Sequence, residues 1–255
     1  MNSPANTPLV FLHGWAMTPA VWRPLLAALG GAASEIHTPA LPGHDGGAAR
    51  PPATLAAWAE ALAPALPPNA VLIGWSLGAL LALEIARLRP GCAARLILFG
   101  ATPRFVASPG WPHGLEAATV AAFVDGYEHD PAAALRRVLA LQTLGDDARR
   151  QLLPALEAAS APRAGQALPA LADGLRILAS ADLRPHLAAI ASPVRLIHGD
   201  GDALMPPAAA RWLAEALPRA RLTVLEKRGH APMLSDAAAC AAAIRACLGT
   251  EGSSP

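Results

Sequence analysis

The chain lacks the features that would tie it to a membrane, a metal or a nucleic acid. No apolar run reaches the ~20 residues that a membrane-crossing helix needs. The best candidate, Leu77–Leu88, is interrupted by Glu84 and Arg87. The opening stretch MNSPANTP has no basic segment leading into an apolar one, so no signal peptide is expected. Cysteine is scarce: Cys92, Cys240 and Cys247 are odd in number and show no metal-ligand spacing. They fit small core or surface residues in a reducing compartment. The formal net charge of +1 gives no global attraction to nucleic acid or to a membrane surface. No internal repeat is present. These absences lead to the expectation of a cytoplasmic monomer that needs no cofactor and no metal.

What the chain has is apolar bulk. Hydrophobic residues make up 53% of its 255 residues, which excludes disorder and allows a large core. Much of that bulk is alanine, so mean hydropathy overstates stickiness. The length suits one large domain, with or without an insertion.

Short apolar runs ended by glycine alternate with segments of helical spacing. PLVFLHG (8–14) reads as a buried strand. Residues 20–29 have helical spacing, and 34–47 form a brief strand followed by a Pro/Gly loop. A helix is expected over 54–66, with Thr54 as its cap. Further strands are expected at 70–73, 94–102, 192–202 and 220–230, the last three running into loops. Helices are expected at 77–89, 208–217 and 236–247. This rhythm implies a mostly parallel sheet with helices on both faces. It breaks between about 103 and 181, where short amphipathic helices and prolines replace strands. The helical content could form a separate domain, but the strands resume afterwards with the same character, so the preferred organisation is a core built from 1–102 and 182–255, with 103–181 as an inserted helical cap.

Gly74-Trp75-Ser76-Leu77-Gly78 sits where a strand hands over to a helix. A serine there is either a turn residue or a nucleophile held in strained backbone at a sharp corner, flanked by glycines because side chains would collide. A hydroxyl nucleophile needs a base. His230, in KRGHAPML after a strand, is the best of the eight histidines, although a loop histidine can also be a plain surface residue. HGDGDALMP (198–206) offers Asp200 and Asp202 to orient that base, and Asp202 is preferred. Backbone N–H groups of Leu77 and of Trp15, in LHGWAM, would receive the oxyanion. Such donors are each worth roughly 3–4 kcal/mol in the transition state. The Trp15 ring either walls a pocket or packs in the core.

Together HGW, LPGH, GWSLG, HGDGDALMP and GHAP resemble the α/β-hydrolase superfamily over nearly the whole chain. LVFLHGWAMTPAVW, LIGWSLGALLALEIA, RRVLALQTLGDDARRQ and GHAPMLSDAAAC resemble, more narrowly, the methyl ester carboxylesterases of biotin synthesis. The resemblance implies an enzyme that removes the methyl ester of a pimeloyl chain on acyl-carrier protein (ACP), leaving pimeloyl-ACP and methanol. It implies Ser76, His230 and Asp202 as triad, with Trp15 and Leu77 as oxyanion hole. It also implies Val138, Leu139, Ala140, Leu141 and Gln142 along the acyl path, and Arg137 and Arg150 as contacts to the acidic carrier.

The chain departs from that pattern in places. Ala133 and Pro154 stand where relatives carry further arginines, with Arg136, Arg149 and Arg163 as replacements. Over 103–181 there are seven arginines against eight acidic residues, so any steering must come from local patches. Ala40, Asp45 and Ala79 are also atypical. Two other readings stay open: a general short-chain esterase, lipase or carbon–carbon hydrolase of the same fold, and a ligand-binding protein without turnover.

Overall fold

The computed structural model describes residues 7–31, 35–44, 51–161 and 169–249. Asp45 and Arg163 lie outside them. Among the described residues six strands form one sheet: β1 (Leu9–Leu12), β2 (Ile36–His37), β3 (Ala70–Trp75), β4 (Ala93–Phe99), β5 (Val194–Gly199) and β6 (Ala220–Leu225). Their order is β2-β1-β3-β4-β5-β6, and every neighbouring pair is parallel. Parallel strands need crossovers, and the crossover helices cover both faces. The central strands are therefore apolar without alternation, and all of β3 is buried.

Successive side chains serve opposite layers. Val10, Leu12, Leu72 and Leu98 join one core cluster, while Leu9, Phe11, Ile73 and Phe99 join the other. The first is closed by α2 (Leu55–Leu62), α3 (Leu77–Leu88) and α8 (Pro207–Ala216), through Trp58, Leu83 and Leu213. The second is closed by α1 (Arg23–Leu29) and α10 (Ala237–Gly249), through Leu25 and Ile244. From β1 the chain runs out to the edge at β2 and returns on the other side of β1 as β3. The connections therefore diverge at the carboxyl ends of β1 and β3, a crevice where such sheets bind ligands.

Between β4 and β5 lie α4 (Ala117–His129), α5 (Pro131–Gln142), α6 (Arg149–Ala159) and α7 (Pro169–Ser180). Only isolated bridges, and no sheet strand, occur among the described residues of this stretch. The chain leaves and returns side by side. Leu183 N–H donates to Pro103 O at 2.9 Å, and Arg104 Nη1 lies 2.7 Å from Asp182 Oδ2. Arg184 grips the same carboxylate at 2.6 and 2.8 Å. The Arg184 hydrogen bonds, helped by Arg104 and opposed by burial, hold the Asp182 carboxyl down at about 2.

Several boundaries differ from the sequence reading because of proline. The helix expected from residue 20 begins as a 3-10 turn, Pro19–Trp22, and becomes α1 only at Arg23. Thr54 does cap α2, its hydroxyl accepting from Ala57 N–H at 3.2 Å. That helix stops at Leu62 and tightens into a 3-10 turn that contains Pro64. A short helix, α9 (Pro232–Ser235), was not anticipated; Pro232 opens it, where a missing N–H costs nothing. Among the described residues no helix is long and apolar enough to cross a membrane.

Candidate active site

Ser76 stands between β3 and α3 with φ 57° and ψ −118°, a region that only special positions adopt. It is also the N-cap of α3, yet its hydroxyl makes no capping hydrogen bond. An ordinary turn serine would use its Oγ in that way. Here the backbone carbonyl of Ser76 takes the first helical N–H groups, from Ala79 and Leu80, and the hydroxyl stays free of that duty. The flanking glycines are dictated by contact. A Cβ on Gly74 would lie 2.5 Å from Gly78 O and 2.7 Å from Ala79 Cα. One on Gly78 would collide with the carbonyl oxygens of Leu12 and His13 in the next strand's loop. Ala79 is fully buried, so the helix does accommodate its methyl.

Asp202 and His230 come from the loops after β5 and β6. His230 Nδ1 lies 2.7 Å from Asp202 Oδ2, and both side chains are buried. Asp200, the other aspartate of HGDGD, is exposed. Burial alone would raise the Asp202 carboxyl. The His230 charge and hydrogen bond, aided by His198 and the Met205 N–H, instead hold it below its usual value. Its Oδ1 also accepts from Leu204 N–H (2.9 Å) and Met205 N–H (2.8 Å). An ionised carboxylate only accepts, so Nδ1 of His230 carries the proton and Nε2 keeps its lone pair. That Nε2 is buried and makes no hydrogen bond among the described residues. Trp75 Nε1–H fixes the backbone of the same residue, donating to His230 O at 2.8 Å.

Two histidines that the sequence reading passed over support these loops. His198 Nε2 lies 2.7 Å from Met205 O and 3.4 Å from Asp202 Oδ2. Burial, the largest influence, depresses its pKa against the pull of Asp202, so it stays neutral and leaves the carboxylate to His230. His13 is fully buried beside His44, and burial first, then that neighbour, push it down to about 3. His13 Nε2 accepts from Leu41 N–H (3.0 Å), so Nδ1–H donates to Gly14 O (2.9 Å). This neutral imidazole shapes the loop that presents Trp15.

The backbone N–H groups of Trp15 and Leu77 have no hydrogen-bond acceptor among the described residues. Gly78, next to Leu77 in α3, packs against Leu12 and His13, just before Trp15 in the chain. The Trp15 indole is buried, donates to Leu171 O in α7 at 2.7 Å, and packs edge-on against Tyr127. Gly174 leaves room for it, since a Cβ there would sit 2.8 Å from Trp15 Cδ1.

Ser76, His230 and Trp15 line one small cavity with Val138, Gln142 and Phe123. Of the five α5 residues expected along an acyl path, Val138 and Gln142 face it, one helical turn apart. Leu139 faces the other core cluster, with Leu152 and Leu156 of α6. Ala140 and Leu141 are half-buried and do not line the cavity. The helical period separates these five residues onto different faces. Phe105, Leu175, Leu178 and Leu204 complete the apolar wall and were not foreseen. The cavity is about 20 Å³, on the order of one water. A larger open groove, about 800 Å³, lies at the amino ends of β4–β6 and is lined by Arg95, Arg195, Arg219 and Arg221. It has no serine, histidine or carboxylate in its described lining, so the chemistry belongs to the smaller cavity.

Arg137 and Arg150 are exposed, as are Arg136 and Arg149. None of the four has an ion pair among the described residues, whereas Arg104 and Arg176 are paired with carboxylates. Arg137 lies over the Phe123 ring, 5.6 Å from its centroid.

Residues 9–243 match the model of the alpha/beta hydrolase family. The chain belongs to that family. This hydrolase is 51% identical to a pimeloyl-acyl-carrier-protein methyl ester esterase of Aromatoleum aromaticum, over 96% of its own length and 98% of the relative's. A protein of the same name from Nitrosomonas europaea is 39% identical, over 89% and 90% of the two chains. An esterase from Exiguobacterium antarcticum superposes with a TM-score of 0.78 at 22% identity, over 96% of this hydrolase and 92% of that chain. A thermophilic esterase from Thermogutta terrifontis gives 0.78 at 21%, over 96% and 90%. At that identity the two structures speak for the fold alone.

Proposed function

We propose that this hydrolase cleaves the methyl ester of a pimeloyl chain carried on ACP, releasing methanol and leaving the free carboxylate on the carrier-bound chain. The chemistry rests on one observation: His230, oriented by Asp202 at 2.7 Å, shares a buried cavity with a serine that its backbone holds at a strained corner. The substrate rests on the likeness to the Aromatoleum and Nitrosomonas esterases.

Ser76 Oγ attacks the ester carbonyl while His230 Nε2 takes its proton. Negative charge on the carbonyl oxygen is met by the N–H groups of Trp15 and Leu77, the latter at the positive end of α3. Asp202 stabilises the imidazolium that forms. His230 then protonates the departing methoxide. Water, deprotonated by the same nitrogen, attacks the acyl-enzyme, and Ser76 regains its proton as the acid leaves. Leu204 and the indole of Trp15 keep bulk water from the reacting atoms.

Residues 103–181 act as a cap on the core of 1–102 and 182–255. With about 20 Å³ between cap and core, an acyl chain enters only when the walls of α4, α5 and α7 draw back. The exposed arginines on α5 and α6 offer the acidic carrier a docking face beside that entrance. The deciding experiment compares kcat/KM for pimeloyl-ACP methyl ester with that for p-nitrophenyl esters, and adds complementation of a biotin auxotroph lacking its own methyl esterase. Strong preference for the carrier-bound ester, with growth restored, is expected. Equal turnover of simple esters and no growth from well-expressed protein would leave a general esterase.

A further inference from the structure

One buried carboxylate takes no part in the reaction just described. Asp146 lies between α5 and α6 with 6% of its surface exposed. Aspartate is rarely buried without partners that repay its lost hydration. Asp146 has no ion pair among the described residues, and its partners are neutral donors. Oδ2 accepts from Gly229 N–H at 2.8 Å and from Ser235 Oγ–H at 2.7 Å. Oδ1 accepts from Ala148 N–H at 2.8 Å. Gly229 immediately precedes His230, and Ser235 ends α9, the helix that follows it. A single carboxylate from the inserted helices therefore holds the histidine's turn from both sides.

Neighbouring residues extend the same grip. Gln142 O accepts from His230 N–H at 3.4 Å, and Asp147 N–H donates to Lys227 O at 3.1 Å. Gly145 backs onto Gly201, the residue before Asp202; a Cβ on either would collide with the other's backbone. Segment 142–147 thus touches the loop of the acid and the loop of the base at once.

We infer that Asp146 is a positioning residue: through Gly229 and Ser235 it sets the place of His230, and so couples the seating of the cap to the alignment of Ser76, His230 and Asp202. This rests on the proposed role of His230 as base. Charge is not what the site needs. It needs two acceptor atoms at fixed places, which asparagine supplies in part and alanine does not.

The test is steady-state kinetics of Asp146→Ala, Asp146→Asn and Ser235→Ala on a p-nitrophenyl ester, with the rate of fluorophosphonate labelling of Ser76 as a second readout. A shift of about 1 Å in a catalytic group costs on the order of 100-fold. Asp146→Ala is expected to lower kcat and the labelling rate together by about 10- to 100-fold, with KM within about twofold. Asp146→Asn is expected to recover most of the loss, and Ser235→Ala to lose several-fold. Unchanged kcat and labelling in folded Asp146→Ala overturn the inference, as does a rise in KM alone. Should Asp146→Ala not fold, Ser235→Ala decides alone, and full activity there overturns it equally. Ser76→Ala runs alongside: if it keeps wild-type turnover, the triad reading has failed rather than the role of Asp146.

Discussion

Gly100 and His230 touch. A Cβ built on Gly100 would lie 2.9 Å from both Cε1 and Nδ1 of the imidazole, and the residue has a φ of +49°. The residue that follows β4 is thus a floor on which the base rests, close to the nitrogen that Asp202 holds. Gly100→Ala is expected to push the ring off its bond to Asp202 and to lower kcat by about 100-fold. The left-handed backbone adds about 1–2 kcal/mol of destabilisation, a loss of a few degrees in Tm. Kinetics on a small ester beside a thermal melt separates the two effects. Wild-type kcat in this variant would mean that the ring is not held from below.

Asp202→Asn tests the tautomer. The amide fills the same space, but its NH2 group can face His230 Nδ1 and donate to it. That places the imidazole proton on Nε2, where the base must be empty. Loss of kcat on the order of 10⁴ is expected, with the fold intact by circular dichroism. Ser76→Ala should abolish fluorophosphonate labelling, and Asp202→Asn should slow it in proportion to kcat. Labelling at the wild-type rate in Asp202→Asn would remove the aspartate from the mechanism.

The parts of this molecule that were legible in its sequence are those fixed by near neighbours. AVLIGW reads as a buried strand because its apolar run is short and ends in glycine. Ser76 reads as a corner because Gly74 and Gly78 flank it. The supports of the site were not legible, because distance along the chain hides them. Gly100, Gly174 and Gly201 look like ordinary loop or helix glycines until a side chain from elsewhere is seen in the space a Cβ would need. Asp146 is one of eight acidic residues in its stretch, and nothing local distinguishes it from exposed Asp147. VLALQ is one continuous segment in the sequence, whereas the helical turn gives the cavity only its first and last residues.

Acid should weaken the fold before it reaches the carboxylates. His13 is held at about 3 and His198 is also depressed, both mainly by burial. His13 faces His44, and His198 faces Asp202 and His230. In the unfolded chain both return to about 6.5 and take up protons that the folded state refuses. Their contribution is complete above pH 6.5 and drains away as pH falls toward the folded values. Each adds a slope of up to about 1.4 kcal/mol per pH unit. Urea midpoints measured from pH 7.5 to 4.5 should fall steadily, and less steeply in His13→Asn. A midpoint that is flat or rising toward acid contradicts the assignment of both as buried neutral groups.

Carrier docking through α6 predicts a loss that depends on the substrate. Arg149 and Arg150 are exposed and unpaired among the described residues, and they stand clear of the Arg137–Phe123 stack that reaches the cavity wall. Reversing both, as Arg149→Glu with Arg150→Glu, replaces attraction for an acidic partner by repulsion. KM for pimeloyl-ACP methyl ester is expected to rise by about 10-fold or more, mostly through slower association. Turnover of a p-nitrophenyl ester should stay within about twofold, since both arginines are exposed and neither lines the cavity of Ser76. Raising the salt from 50 to 500 mM should weaken the wild type and, by screening the repulsion, improve the double variant, so that the two converge. An equal loss on both substrates would place the damage in the folding of α6 and its neighbours. No loss on either would move the carrier's docking face away from α6.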